Sequence, residues 1–168
     1  QAGAYLVLVT DSSNKTTYST MVAKTYKYDN DQLIAPLNET VVAKAEAYHT
    51  DKEVNKATAE VGELVTYTVK TVVPYQSKDA AGHSKVTEFK ISDTLTNATL
   101  YLEGDAIKGV NPVNTFTLNG TTKDDLKLNA TKLNGKSAFD LNLIDLVTDD
   151  NTYAGQEIVI TYTALVGK

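Results

Sequence analysis

The chain has 168 residues, a formal net charge of −5 at pH 7 and 42% hydrophobic residues, which fits one large domain, or one domain with part of another, around a buried core. All 16 cationic residues are lysine; a net-negative chain lacking arginine's bidentate fork is not expected to bind nucleic acid. No apolar run approaches the roughly 20 residues of a membrane span, so no membrane insertion is expected either.

The residue choice points to strands. There are 24 Thr, 10 Tyr and 12 Asn against one Met and no Trp. Thr, Tyr and Val suit a pleated surface, and Asn and Gly suit the turns between strands. The apolar run Ala4–Thr10 ends in the turn cluster Asp11–Lys15, and Thr16–Lys24 reads as a second strand, the two forming a hairpin. Tyr26–Tyr28 is a brief alternating segment before Asp29–Asp31. Pro36 interrupts, and Glu39–Tyr48 resumes with strand-compatible residues whose Ala-rich end could be helical. Residues 1–48 are too few to close a sandwich and are expected to be the trailing strands and linker of a preceding β domain.

Residues 49–168 are more regular. Val65, Tyr67 and Val69 alternate with Thr66, Thr68 and Lys70, the period-2 pattern of a half-buried strand that Pro74 stops. A polar loop, Tyr75–Ser84, leads to Val86, Phe89 and Ile91. Short strands are predicted at Leu100–Leu102, Thr115–Leu118, Leu126–Leu128 and Phe139–Leu143, with one helical turn over Leu143–Val147. Gln156–Val166 closes as a long alternating strand. Many short strands between turn signals predict an all-β, antiparallel, immunoglobulin-like sandwich.

Few residues suggest a metal or cofactor. Asp124–Asp125 and Asp149–Asn151 could offer oxygen ligands to calcium, but they lack a regular loop spacing, and His49 and His83 have no partner spacing for zinc. No metal and no cofactor is expected. Five N-x-T triplets, at Asn14, Asn38, Asn97, Asn119 and Asn129, match a glycosylation acceptor but follow from a composition rich in Asn and Thr. The absence of cysteine fits either chance in a cytosolic protein or a secreted protein whose host avoids disulfides. With no initiator Met, signal peptide or sorting signal, the chain reads as a mature or excised fragment.

Three pieces carry a resemblance. The first is Gly3–Val7 through Tyr18–Val22. The second is Asp51-Lys52-Glu53-Val54-Asn55 with Val61-Gly62-Glu63-Leu64-Val65-Thr66-Tyr67-Thr68-Val69 and Pro74. The third is Phe89–Leu95 with the closing Ala154–Ala164. In this order they resemble the sortase-assembled pilus backbone proteins of Gram-positive bacteria and their fimbrial isopeptide-forming, Cna-like domains. The resemblance implies a buried lysine, Lys52, that attacks an asparagine side chain beside a catalytic acid, Asp93, with loss of one ammonia. Burial would favour the neutral amine and the neutral acid, and held proximity would replace concentration. The acceptor asparagine is expected just past Tyr162-Thr163-Ala164, near or beyond Lys168, where this chain has Gly167; Asn142 and Asn151 are the in-chain substitutes. Lys44 stands where such pilins carry the lysine that sortase joins to the next subunit. Against these roles, a lysine at a strand start is ordinarily solvated, and Asp93 before Thr94 could merely cap a turn.

The expected function is therefore a structural module of an extracellular, cell-wall-anchored fibre, whose partners are other pilin subunits joined by sortase and host surface molecules. The alternative is a β-sandwich adhesin or carbohydrate-binding module using Tyr26, Tyr28, Tyr75 and Tyr101. No nucleophile elbow, phosphate loop or Ser/His/Asp order supports an enzyme.

Overall fold

The alternation through residues 65–70 forms a strand, Leu64–Val72, inside an antiparallel sheet. The computed structural model describes residues 50–167 in full and, before them, the backbone of six short strands. The chain divides into two compact units, Gln1–Tyr48 and His49–Lys168.

In the first unit the strands are β1 (Ala4–Val7), β2 (Thr16–Tyr18), β3 (Met21–Lys24), β4 (Lys27–Asp29), β5 (Gln32–Ile34) and β6 (Ala45–Ala47). All pairings are antiparallel: β1 with β3, β2 with β6, and β4 with β5. The single strand expected over Thr16–Lys24 is thus two segments with different partners, and only the second pairs with β1. The Ala-rich end near residue 46 is extended, because pairing with β2 overrides alanine's helix propensity.

In the second unit come β7 (Asp51–Val54), β8 (Leu64–Val72), β9 (Lys90–Thr94), β10 (Ala98–Leu100), β11 (Asn114–Leu118), β12 (Thr121–Thr122), α1 (Ala130–Leu133), β13 (Ala138–Asn142), a 3₁₀ turn (Ile144–Leu146) and β14 (Glu157–Val166). The larger sheet runs β12-β11-β14-β8-β7, with β10 continuing beside the end of β14; β9 and β13 form the second layer. All these pairings are antiparallel, so the architecture is an all-β sandwich.

Residues directly opposite across a ladder share a face. One row reads Phe116–Ile160–Val69–Lys52 and the next Asn114–Tyr162–Tyr67–Val54. Phe116, Ile160 and Tyr162 are fully buried, and Ile91, Phe139 and Leu143 meet them from the facing layer. The other face of the large sheet carries Thr68, Thr161 and Thr115 in one row, which is where much of the threonine goes. Asn119 and Gly120, both at positive φ, turn β11 into β12.

Two expected strands differ. Leu126–Leu128 is a turn leading into α1, because Asn129 caps that helix by accepting from the Lys132 N–H at 3.1 Å; Leu128 is buried all the same. The strand expected at Leu100–Leu102 ends at Leu100, and Leu102 N–H donates to Asn134 Oδ1 at 2.6 Å instead of to a ladder.

Candidate functional site

Lys52 is the last position of an otherwise apolar row, on the outer strand β7. Its side chain therefore turns toward the core yet stays reachable by solvent at the rim. Asp93 lies on β9 between Ile91 and Leu95, the residue just past the strand, and opposite Phe139 of β13, so the same alternation that buries Ile91 and Leu95 aims its carboxylate at the larger sheet. The two side chains, 41 residues apart, meet across the sandwich. Lys52 Nζ lies 2.7 Å from both Asp93 oxygens. The Asp93 side chain is 14% exposed and that of Lys52 37%.

The floor beneath this pair is aromatic. Lys52 Nζ sits 4.5 Å from the centroid of the Tyr67 ring, a cation–π contact. Tyr67 stacks on Tyr162 at 5.5 Å, and Phe139 meets Tyr162 edge-on at 5.2 Å. From the middle of the larger sheet the Tyr162 hydroxyl donates to Asp93 Oδ2 at 2.5 Å. Burial first, then the hydrogen bond to Asp93 and its negative charge, push the Tyr162 phenol well above its ordinary range, so it remains a donor at any working pH. Tyr162 escaped the sequence reading because a tyrosine at an inward position of an alternating strand looks like core. The available signal was the register: once β8 and β14 pair, Tyr67 and Tyr162 fall side by side, next to the row that ends in Lys52.

The setting departs from the expected one in two respects. Lys52 is a partly covered edge residue instead of a core residue, since β7 has a ladder partner on one side only among the described residues. The expected acceptor position is also remote. Ile160 is the β14 residue level with Lys52, and Gly167 lies seven residues farther, roughly 20 Å along the strand direction. Gly167 N–H donates there to Asn97 O at 2.8 Å. A chain leaving at that point would have to fold back to reach Lys52. Neither in-chain substitute does so. Asn142 Oδ1 accepts from Ile144 N–H at 3.1 Å, and Asn151 is tied to the Gln76 backbone through both ends of its amide. Lys44 and His49 lie outside the described residues.

The remaining candidates serve as turn and loop fixings. Asp149 pairs with Lys78 at 2.7 Å, Asp150 accepts from Thr148 and Thr152, Asp124 lies 3.5 Å from Lys127, and His83 lies 3.2 Å from Asp79. Among the described residues no group of three or more His, Cys, Asp or Glu is placed to hold a metal ion. Of the glycosylation triplets, Asn97 and Asn119 occupy positive-φ turns and Asn129 is the α1 cap; Asn14 and Asn38 lie outside the described residues. Tyr75 follows the end of β8 level with Gln156, and Tyr101 lies beside Thr163, so these two tyrosines stand at opposite ends of β14 and build no shared platform. Tyr26 lies outside the described residues, as does the side chain of Tyr28. No helix among the described residues is long and apolar enough to cross a membrane.

No protein-family model matches the chain, and no curated protein matches it. Among solved structures it is similar to the major pilin SpaA of Corynebacterium diphtheriae, whose structure points to a modular pilus assembly and stabilizing isopeptide bonds. The TM-score is 0.37 and the identity 20%, over 90% of this chain and 36% of that one. The chain thus spans about a third of that pilin's length, and a likeness of this size fixes neither family nor role.

Proposed function

We propose that the chain is a structural module of a Gram-positive surface fibre, and that Lys52 and Asp93 are the nucleophile and acid of a single self-linking reaction. The observation that supports it is the two-oxygen contact of Lys52 with Asp93 across the sandwich, over an aromatic floor. In the reaction a proton passes from Lys52 Nζ to Asp93 and frees the amine. The amine attacks the side-chain carbon of an asparagine from outside the described residues, while the acid polarises the carboxamide oxygen. Asp93 gives its proton to the old amide nitrogen and takes one back from the attacking nitrogen as the new C–N bond forms; the old C–N bond breaks, ammonia leaves, and an isopeptide remains beside the protonated acid. The protein acts only on itself and is not an enzyme. Other subunits, joined by sortase through Lys44, and host surface molecules are its partners, and the wall-anchored exterior its location.

The test is intact mass. The natural polypeptide is short by one ammonia, a loss that Lys52→Ala abolishes. A bond closing a loop of more than 100 residues, treated like a disulfide of that span, adds roughly 4–5 kcal/mol. The same deficit from the calculated mass in the natural polypeptide and its Lys52→Ala variant, or none in either, would sink the self-linking role.

A second reading keeps one observation of its own. A groove of about 650 Å³, away from Lys52, is lined by Leu102, Asn114, Asp124, Asp125 and Leu128 among others. The Asn114 Oδ1 beside it is buried with no hydrogen-bond partner among the described residues. A binding module would use this groove, and a glycan-array signal lost on Asn114→Ala would favour that class.

A further inference from the structure

We infer that Asn119–Gly120, at the tip of the β11–β12 hairpin, is a self-modifying site. The Gly120 backbone nitrogen attacks the Asn119 side-chain carbon and closes a five-membered imide with loss of ammonia, and hydrolysis leaves aspartate or isoaspartate. This reaction is separate from the self-linking one and does not rest on it.

The chain contains two Asn-Gly pairs, Asn119–Gly120 and Asn134–Gly135. Glycine after asparagine suits this chemistry, because no Cβ crowds the attacking nitrogen and the backbone turns freely. Nucleophile and carbon lie in adjacent residues, so held proximity replaces concentration. The fold treats the two pairs oppositely. At Asn134 every reacting group is held. Its Oδ1 accepts from Leu102 N–H at 2.6 Å and its Nδ2 donates to Glu103 O at 2.9 Å. The nitrogen that would attack, Gly135 N, donates to Leu100 O at 2.8 Å. At Asn119 only the backbone N–H is held, by Glu157 O at 2.8 Å; among the described residues neither its side-chain amide nor Gly120 N–H has a hydrogen-bond partner. Asn119 is exposed, and a Cβ placed on Gly120 would meet nothing within 4 Å, so nothing packs on that side of the turn. Ring closure needs the tip to rotate about the Asn119 Cα–C bond. β12, two residues long and paired only with β11, holds it lightly. As the ring closes, Gly120 N gives up its proton, and the carboxamide nitrogen takes one and leaves as ammonia. Water then opens the imide at either carbonyl, adding one carboxylate at the sheet edge. Opening toward isoaspartate also lengthens the backbone of the turn by one carbon, which disturbs the Leu118–Thr121 register.

The experiment follows the full chain, incubated warm at neutral pH, by tryptic peptide mapping over time. Cleavage after lysine puts the two pairs in separate peptides, Gly109–Lys123 and Leu133–Lys136. Imide, aspartate and isoaspartate forms of each are resolved by chromatography and fragment masses. With three hydrogen bonds to break before attack, Asn134 reacts roughly a hundredfold more slowly than Asn119. In urea the two pairs, chemically alike once unfolded, convert at closely similar rates. A folded-state ratio near one overturns the inference, as does an Asn119 that stays intact while its unfolded counterpart converts. A preference for Asn119 that survives undiminished in urea also overturns it, since the selection would then belong to the local sequence and not to the fold. Asn119→Gln abolishes the products in Gly109–Lys123; products that persist there would place the reaction at Asn114 and sink the assignment. Lys52→Ala leaves Asn119 conversion unchanged, and Asn119→Gln leaves any ammonia loss that depends on Lys52 in place. Failure of the self-linking test and failure of this one are thereby told apart.

Discussion

Removing either member of the Lys52–Asp93 pair is expected to cost stability unequally, and the exposures set the order. In Lys52→Met the carboxylate of Asp93, 14% exposed, keeps Tyr162 as its remaining partner but loses the cation. In Asp93→Asn the ammonium left behind is 37% exposed and can turn outward to water, while Tyr162 keeps an oxygen to donate to. Breaking fully buried pairs costs 3–5 kcal/mol and exposed ones less than 1, so this rim site falls between: about 2 kcal/mol for Lys52→Met and about 1 kcal/mol for Asp93→Asn. The double variant should lose less than the sum, since the second change removes a charge already stranded. Urea unfolding of the 168-residue chain checks this, followed by near-ultraviolet circular dichroism, to which the Tyr67–Tyr162 stack contributes. With a slope of roughly 2 kcal/mol/M, the Lys52→Met midpoint falls by about 1 M. The reverse order, or losses below about 0.3 kcal/mol for both variants, would refute the claim that Asp93 is the more dependent partner.

Phe116→Ala empties a fully buried position at the centre of the larger sheet and should cost about 3–5 kcal/mol by the same unfolding curve; a loss under about 1 kcal/mol would mean the site collapses freely. Thr163 sits where the partner of β14 passes from β11 to β10, its hydroxyl accepting from Val113 N–H at 3.0 Å and donating to Tyr101 O. Thr163→Val strands both backbone groups at similar volume, with an expected loss of about 1–3 kcal/mol read as a lowered Tm. Glu63 is held below its ordinary 4.5 by the Glu60 N–H and then by Lys56, so its stabilisation is present above that value and lost as pH falls through the depressed one. The urea midpoint should therefore drop on acidification from pH 5, and Glu63→Gln should shallow that drop.

The long elements were legible because their period was unambiguous. β8 and β14 alternate along most of their nine and ten residues, and a half-buried strand can satisfy that pattern in one way only. Short elements were not, because their backbones are decided by single side chains elsewhere. Asn129 turns the expected strand at Leu126–Leu128 into a helix entry, and Asn134 ends the ladder at Leu100. The pairing partner of β2 likewise lies far along the chain, in β6. For the site, sequence named Lys52 and Asp93 but gave Lys52 the wrong setting, since no local signal tells a core strand from a rim strand of four residues.

That rim position leaves a plainer account of Lys52, and it can be tested against the one advanced above. A charged side chain pointing inward from an outer strand protects a sheet edge from pairing with another chain. Such a guard needs only to be a charge. Here the ammonium is held by both oxygens of a carboxylate that the opposite layer delivers, that carboxylate takes a second bond from a buried tyrosine, and the ring between them supports the cation. Arginine or glutamate at position 52 would guard the edge equally well. If Lys52→Arg is as monomeric and as stable as the parent, and the natural polypeptide carrying it still loses one ammonia, Lys52 is a guard and the bond is made elsewhere. If the variant folds and the ammonia loss disappears, a guard cannot explain it, because arginine retains the charge and lacks only the amine that can be freed.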